Sequence, residues 1–263
     1  MGSLKGINKY LSIGVNESWI ADHFKDDNYE PGARKTDTMY ALLRDGGIIG
    51  KGKKDLTPLG YLVKEKYFDR KEQMWALMLC NLVYTSAFKW YIQNIPFDEA
   101  YFQNRLMLDM GTDTTEKAKN EFWNGFKIIL SSNEALQNIG FGQPDIIEKA
   151  QANGEIKKSM MSILREPWSN PDPLVILYSL YKFAEACGGY YQFTLSTLMD
   201  SAIERDGISP TEIFGLSGET MEKFLNGLSI NYPEFIKCSF KMDLDSITLR
   251  EDKTSQDVLT LFA

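Results

Sequence analysis

Between Arg34 and Lys66 a helix-like segment, a Gly-rich basic turn and a Thr-Pro helix restart follow one another, and that order narrows the fold more than any other feature. Met39, Leu42 and Leu43 recur at helical spacing across Lys35–Arg44, so this segment reads as a helix with one apolar face. Asp45-Gly46-Gly47 stops it, because glycine takes the left-handed conformation that ends helices without a Cβ penalty. Ile48-Ile49 reads as a short strand, and Gly50-Lys51-Gly52-Lys53-Lys54 as a flexible basic tip. Leu56-Thr57-Pro58-Leu59-Gly60 then restarts a helix, with Thr57 as N-cap and Pro58 in the first turn, and Tyr61–Tyr67 continues it.

From Arg70 to Trp168 the pattern is strongly helical. Met74, Trp75, Leu77, Met78, Leu82 and Phe88 make a wide apolar surface, which Trp90, Tyr91 and Ile92 extend before Pro96 ends it. A further helix is predicted over Thr112–Leu130, opened by Thr112 or Thr114 and broken by Ser131, Ser132 and Asn133. Gly140-Phe141-Gly142-Gln143-Pro144 reads as a loop, and its glycine spacing is wrong for phosphate binding. Gln151–Lys158 is polar. The best boundary is Pro167–Pro173, where three prolines in seven residues exclude a helix interior.

Beyond it, Leu174–Cys187 is an apolar helix ended by Gly188-Gly189, and Phe193–Glu204 is predicted as the next. Ser209 and Ser217 cap two more helices, and Phe235–Phe240 and Asp243–Leu249 read as paired strands rich in Phe, Ile and Thr.

The first unit, a helix, a Gly-rich turn, a hairpin with a basic tip and a Thr-Pro restart, resembles a winged helix-turn-helix. In that family the helix before the hairpin commonly enters the DNA major groove and the hairpin tip touches phosphate. The resemblance implies a nucleic-acid-binding set of Arg34, Lys35, Thr36, Thr38 and Arg44 on the helix, with Lys51, Lys53 and Lys54 on the wing. The C-terminal unit has the same order without basic character, since its helix carries Glu219, Glu222 and Lys223. The expected fold is therefore mainly α: an N-terminal winged helix (1–70), a central helical bundle (71–168), and a C-terminal winged-helix-like unit ending in a β-hairpin (169–263).

Leu198, Ser209–Leu216 (Ser-Pro-Thr-Glu-Ile-Phe-Gly-Leu), Leu225 and Asp243–Leu249 are similar to an uncharacterised domain family, as are Asn81–Trp90 and Thr57–Gly60. The genes of that family sit beside bacterial Dnd-type DNA phosphorothioation and phage-defence genes. A common neighbour is a sulfurtransferase with a Ser-Gly-Gly-Lys-Asp nucleotide loop. Asp45-Gly46-Gly47 lacks the Ser and Lys of that loop, so the neighbour's catalysis does not transfer to this chain.

Charge supports the same expectation. Arg34–Lys71 holds ten Lys and Arg against five Asp and Glu, a local +5, which leaves −12 on the rest of a chain with net charge −7. A basic module on an acidic body suits a phosphate-binding face. Cys80, Cys187 and Cys238 lie far apart with no CxxC pair, and read as free thiols in a reducing compartment. His23, the only histidine, sits in an acidic stretch and reads as solvated, so neither a zinc site nor a His-based triad is expected. No apolar run approaches a membrane span, and no signal-like apolar region occurs in the first thirty residues.

The expected function is a cytoplasmic, non-enzymatic component of a DNA-modification or phage-defence system that binds double-stranded DNA and needs no cofactor or metal. The alternative is an adaptor that holds a partner such as a DNA-modification enzyme. A third class, a carboxylate hydrolase or nuclease, would draw on Asp98, Glu99, Asp109 or Asp113, which form no motif.

Overall fold

Side-chain caps decide where most helices of this chain begin. The computed structural model describes residues 9–51, 55–151, 154–241 and 244–262. Asn16 opens α1 (Glu17–Lys25), accepting from the Ser18 amide. α2 (Ala33–Asp45) ends where Gly47 takes a φ of 77°. Thr57 opens α3 (Pro58–Lys66) by accepting from the Gly60 amide at 2.9 Å. Between α2 and α3 the chain forms a hairpin closed by one bridge, Ile49 to Leu56, in place of the strand expected over Ile48-Ile49.

α4 (Lys71–Leu82) is buried at every residue from Met74 to Cys80, which explains its lack of a polar face. α5 (Ser86–Asn94) follows, then β1 (Ala100–Phe102), α6 (Gln103–Asp109), α7 (Glu116–Ser131) and α8 (Glu134–Asn138). The cap of α7 is Thr115, whose side chain accepts from the Ala118 amide, and not Thr112 or Thr114; Thr114 is itself buried.

The middle of the chain is not helical throughout. β2 (Gln143–Ala150) and β3 (Ile156–Leu164) join β1 in an antiparallel sheet of order β1-β3-β2. Gln143-Pro144, expected in a loop, starts β2, and the polar stretch over Gln151–Lys158 runs into β3. The distal half of both strands is solvated on both faces, so the sequence there lacks the alternation that marks a half-buried strand.

The last third comprises α9 (Pro173–Ala186), β4 (Gln192–Phe193), α10 (Leu195–Met199), α11 (Pro210–Phe214), α12 (Gly218–Asn231), β5 (Ile236–Lys241), β6 (Leu244–Leu249) and α13 (Ser255–Leu259). The helix expected over Phe193–Glu204 shrinks to α10. Asp200 ends it by accepting from the Ala202 amide, a local bond that competes with the helix. Ser209 and Ser217 cap α11 and α12 as read from the sequence. The second sheet is antiparallel, in order β4-β6-β5. The protein is thus mainly α, with two small antiparallel sheets.

One apolar cluster runs from Tyr10 to Phe262, and α9 lies at its centre against α4, α12 and α13. A buried cation completes it. Arg165, directly after β3, donates through Nη1 to Ile92 O (3.2 Å) and Ile95 O (2.9 Å) at the end of α5. Its Nη2 donates to Glu212 O (3.1 Å) and Ile213 O (3.0 Å) in α11. Carbonyls at helix ends lack intrahelical partners and carry partial negative charge, so they can accept from a buried guanidinium, here with the Glu212 charge close by. Burial lowers its pKa to about 10, which leaves it charged at neutral pH.

Candidate nucleic-acid interface

The helical period of α2 sorts the expected recognition residues. At roughly 100° per residue, Arg34, Asp37, Ala41 and Arg44 share one stripe. Arg34, Asp37 and Arg44 are exposed on it. Lys35 is exposed about 180° away from Arg44 around the helix. Its ammonium sits 5.3 Å from the Trp19 ring centroid, a cation–π contact. Arg34 and Arg44 stand about 15 Å apart along the axis. Arg44 Nε donates to Gly50 O at 3.4 Å, which joins the stripe to the hairpin carrying exposed Lys51. Lys53 and Lys54 lie outside the described residues.

Thr36 and Thr38 are corrections. Both are 4% exposed, so neither reaches a DNA surface. The period puts Thr36 on the side of Met39 and Leu43, and Thr38 beside Leu42, all of which enter the core. The Thr38 hydroxyl donates back to Arg34 O at 2.8 Å, satisfying itself within the helix.

The hairpin is held in place by its own backbone and by α3. Gly50 N donates to Asp55 O at 2.8 Å, and Thr57 N to Ile48 O at 3.0 Å. The Thr57 hydroxyl donates to Gly47 O at 2.5 Å while capping α3. Gly60 lies so close to the Ile48 carbonyl that an added Cβ would collide with it.

Several cations of this region are neutralised. Lys64 pairs with Asp27 (2.6 Å), Lys66 with Glu65 (2.9 Å) and Lys71 with Glu17 (2.8 Å). Arg34, Lys35, Arg44 and Lys51 form no ion pair among the described residues. Burial pushes the Asp45 carboxyl up, opposed by a hydrogen bond from Tyr10 and by the charge of Arg44.

The other candidates disperse. His23 is not solvated: it is 6% exposed and packs edge-on to Tyr40 at 5.3 Å between centroids. Glu99 and Asp109 meet at Arg105 (2.6 and 3.4 Å), and the Tyr101 hydroxyl donates to Asp109 at 2.7 Å, which describes a surface ion network. Asp98 and Asp113 stand exposed outside it. Among the described residues, no group of three or more His, Cys, Asp or Glu side chains could hold a metal ion. None of the described helices is long and apolar enough to cross a membrane. The three cysteines are free, and burial pushes the Cys80 thiol up to about 12.

Two features escaped the sequence reading. Buried Arg165 carries no signal in its neighbours. The β2–β3 ribbon, with exposed Lys149 and Lys157, does have one: Asn153-Gly154, a hairpin-turn dipeptide. No family model matches this chain, and neither a curated protein nor a solved structure matches it.

Proposed function

We propose that this chain is a non-enzymatic, DNA-binding component of a bacterial DNA-modification or phage-defence system, working in the cytoplasm. It contacts duplex phosphates through the outer stripe of α2 and the hairpin that follows. The observation that carries this reading is the bond from Arg44 to Gly50, which joins the α2 stripe of Arg34 and Arg44, with Asp37 between them, to the hairpin that bears Lys51. The first unit acts as a winged helix with the hairpin as its wing. The C-terminal unit is a second winged helix, supported by the chain order α9, β4, α10, α11, α12, β5, β6 and the sheet order β4-β6-β5.

The test is fluorescence anisotropy with a short duplex at two salt concentrations. Neutralising phosphates releases counterions, at about 0.9 in the log–log salt slope per contact. The triple variant Arg34→Ala, Arg44→Ala, Lys51→Ala should therefore bind more weakly and flatten the slope by about 2.7. Unchanged affinity and slope would overturn this face.

One observation favours the adaptor reading for the C-terminal unit. The outer face of α12 carries no free basic stripe: Lys223 is paired with Glu219 at 2.7 Å, and Ile230 is 78% exposed. This unit docks a protein, such as a DNA-modification enzyme, while the N-terminal unit holds DNA. If the whole chain is only an adaptor, it binds no duplex at low salt.

A further inference from the structure

We propose that the outer half of the β2–β3 ribbon is a second DNA-contacting element, with Lys149 and Lys157 on the phosphates of a duplex whose groove the ribbon enters. This rests on the DNA-binding reading above and extends it to a part of the molecule remote in sequence.

β1 covers β3 only from Ser162 to Leu164. Beyond Ser162, β3 has β2 as its one strand neighbour, and residues 148–151 and 154–158 are all exposed. Past the Glu148–Lys158 rung the described ribbon extends free for about 10 Å. An isolated two-stranded ribbon is marginal in water. Its sequence makes matters worse, because Lys149 and Lys157 are direct cross-strand partners. Like charges in that position repel and destabilise the pair.

The neighbouring rung shows that this is not a general feature of the ribbon. Glu148 faces Lys158, and the two form an ion pair at 2.7 Å. Lys149 and Lys157 form no ion pair among the described residues. Ile146 and Met160 form one rung that packs toward the core. Alternation then puts Lys149 and Lys157, with Ile147 and Ser159, on the opposite, outer face. Lys127 of α7 fastens the ribbon at the Glu148–Lys158 rung, its Nζ donating to Lys158 O at 3.3 Å.

A rung of two facing ammonium groups becomes favourable when an anion lies across both. The phosphate backbone of a duplex supplies a regular line of such anions. The major groove, about 12 Å wide, admits a two-stranded ribbon. The charge of the Lys149–Lys157 rung, though not of the ribbon as a whole, and the ribbon's width point to the same partner.

The experiment uses the full chain, the same duplex and the same two salt concentrations. Lys149→Ala with Lys157→Ala should weaken binding roughly tenfold at low salt and flatten the salt slope by about 1.8. Lys149→Glu separates binding from folding. It creates a cross-strand ion pair with Lys157, so the melting temperature should hold or rise while DNA affinity falls at least as far. If both ribbon variants bind like the wild type while the Arg34, Arg44, Lys51 variant is weakened, the ribbon assignment is overturned and the DNA-binding reading stands. A wild-type chain that binds no duplex at either salt overturns both.

Discussion

The hairpin between α2 and α3 is fastened through its described residues, whereas the β2–β3 ribbon is fastened only as far as the Glu148–Lys158 rung. The first is closed by backbone bonds from Gly50 and Thr57, clasped by the Arg44 side chain, and pressed against Gly60 of α3. The second is held by β1, by Lys127 and, just past its end, by Arg165, and then runs outward exposed. A fastened element presents its charges at fixed spacing and loses little entropy on binding. A free one can adapt to a groove but must order itself when it binds. The two therefore differ in how far their charges are held in place before any partner arrives.

Three substitutions bear on this contrast. The largest effect is expected from Arg165→Met, which strips four carbonyls of their donor beneath the ribbon's base. Loss of about 4 kcal/mol of stability is expected in urea denaturation. A loss below about 1 kcal/mol would mean that water replaces the guanidinium and that the base is not fastened there. Next, Gly60→Ala pushes a methyl into the Ile48 carbonyl and should cost about 3 kcal/mol. Hydrogen exchange at Gly50 and Thr57 should rise while the ribbon's amides stay as they were. Equal loosening of both hairpins would dissolve the contrast.

The smallest effect sharpens the comparison. Asp45 has a folded pKa above its ordinary 3.8, chiefly because it is buried. Between those two values the folded state binds the extra proton, so stability falls as pH rises through the window. Asp45→Asn should therefore raise the melting temperature slightly at pH 7, with the gain gone below pH 3.8. It also removes a negative charge beside Arg44, so duplex affinity should rise a little. A lower melting temperature at pH 7 would show that the bond from Tyr10 outweighs the burial.

Much of the fold was legible because it is written in local chemistry. Thr57, Ser209 and Ser217 cap the helices predicted for them, and Pro58 and Pro210 sit in first turns. The strands at 236–241 and 244–249 lie within one residue of those expected over Phe235–Phe240 and Asp243–Leu249 from their Phe, Ile and Thr content. The first sheet was hidden because its outer half faces water on both sides, where no hydrophobic period can form. Of the expected interface, Arg34, Arg44 and Lys51 stand exposed on or beside one stripe and Lys35 stands apart. Thr36 and Thr38 are buried because helical phase, which residue type alone does not carry, turns them toward the core.

By itself the sequence determined the helices with strong caps, the basic hairpin and the charge asymmetry between the first unit and the rest. Each of these depends on residues a few positions apart, and short-range sterics and hydrogen bonding act at that distance. Only the tertiary structure decided that Arg165 would be held by carbonyls from two distant helices, that His23 would enter the core, and that Lys149 would face Lys157. These depend on which surfaces meet when the apolar faces are buried together, and that is a property of the whole chain.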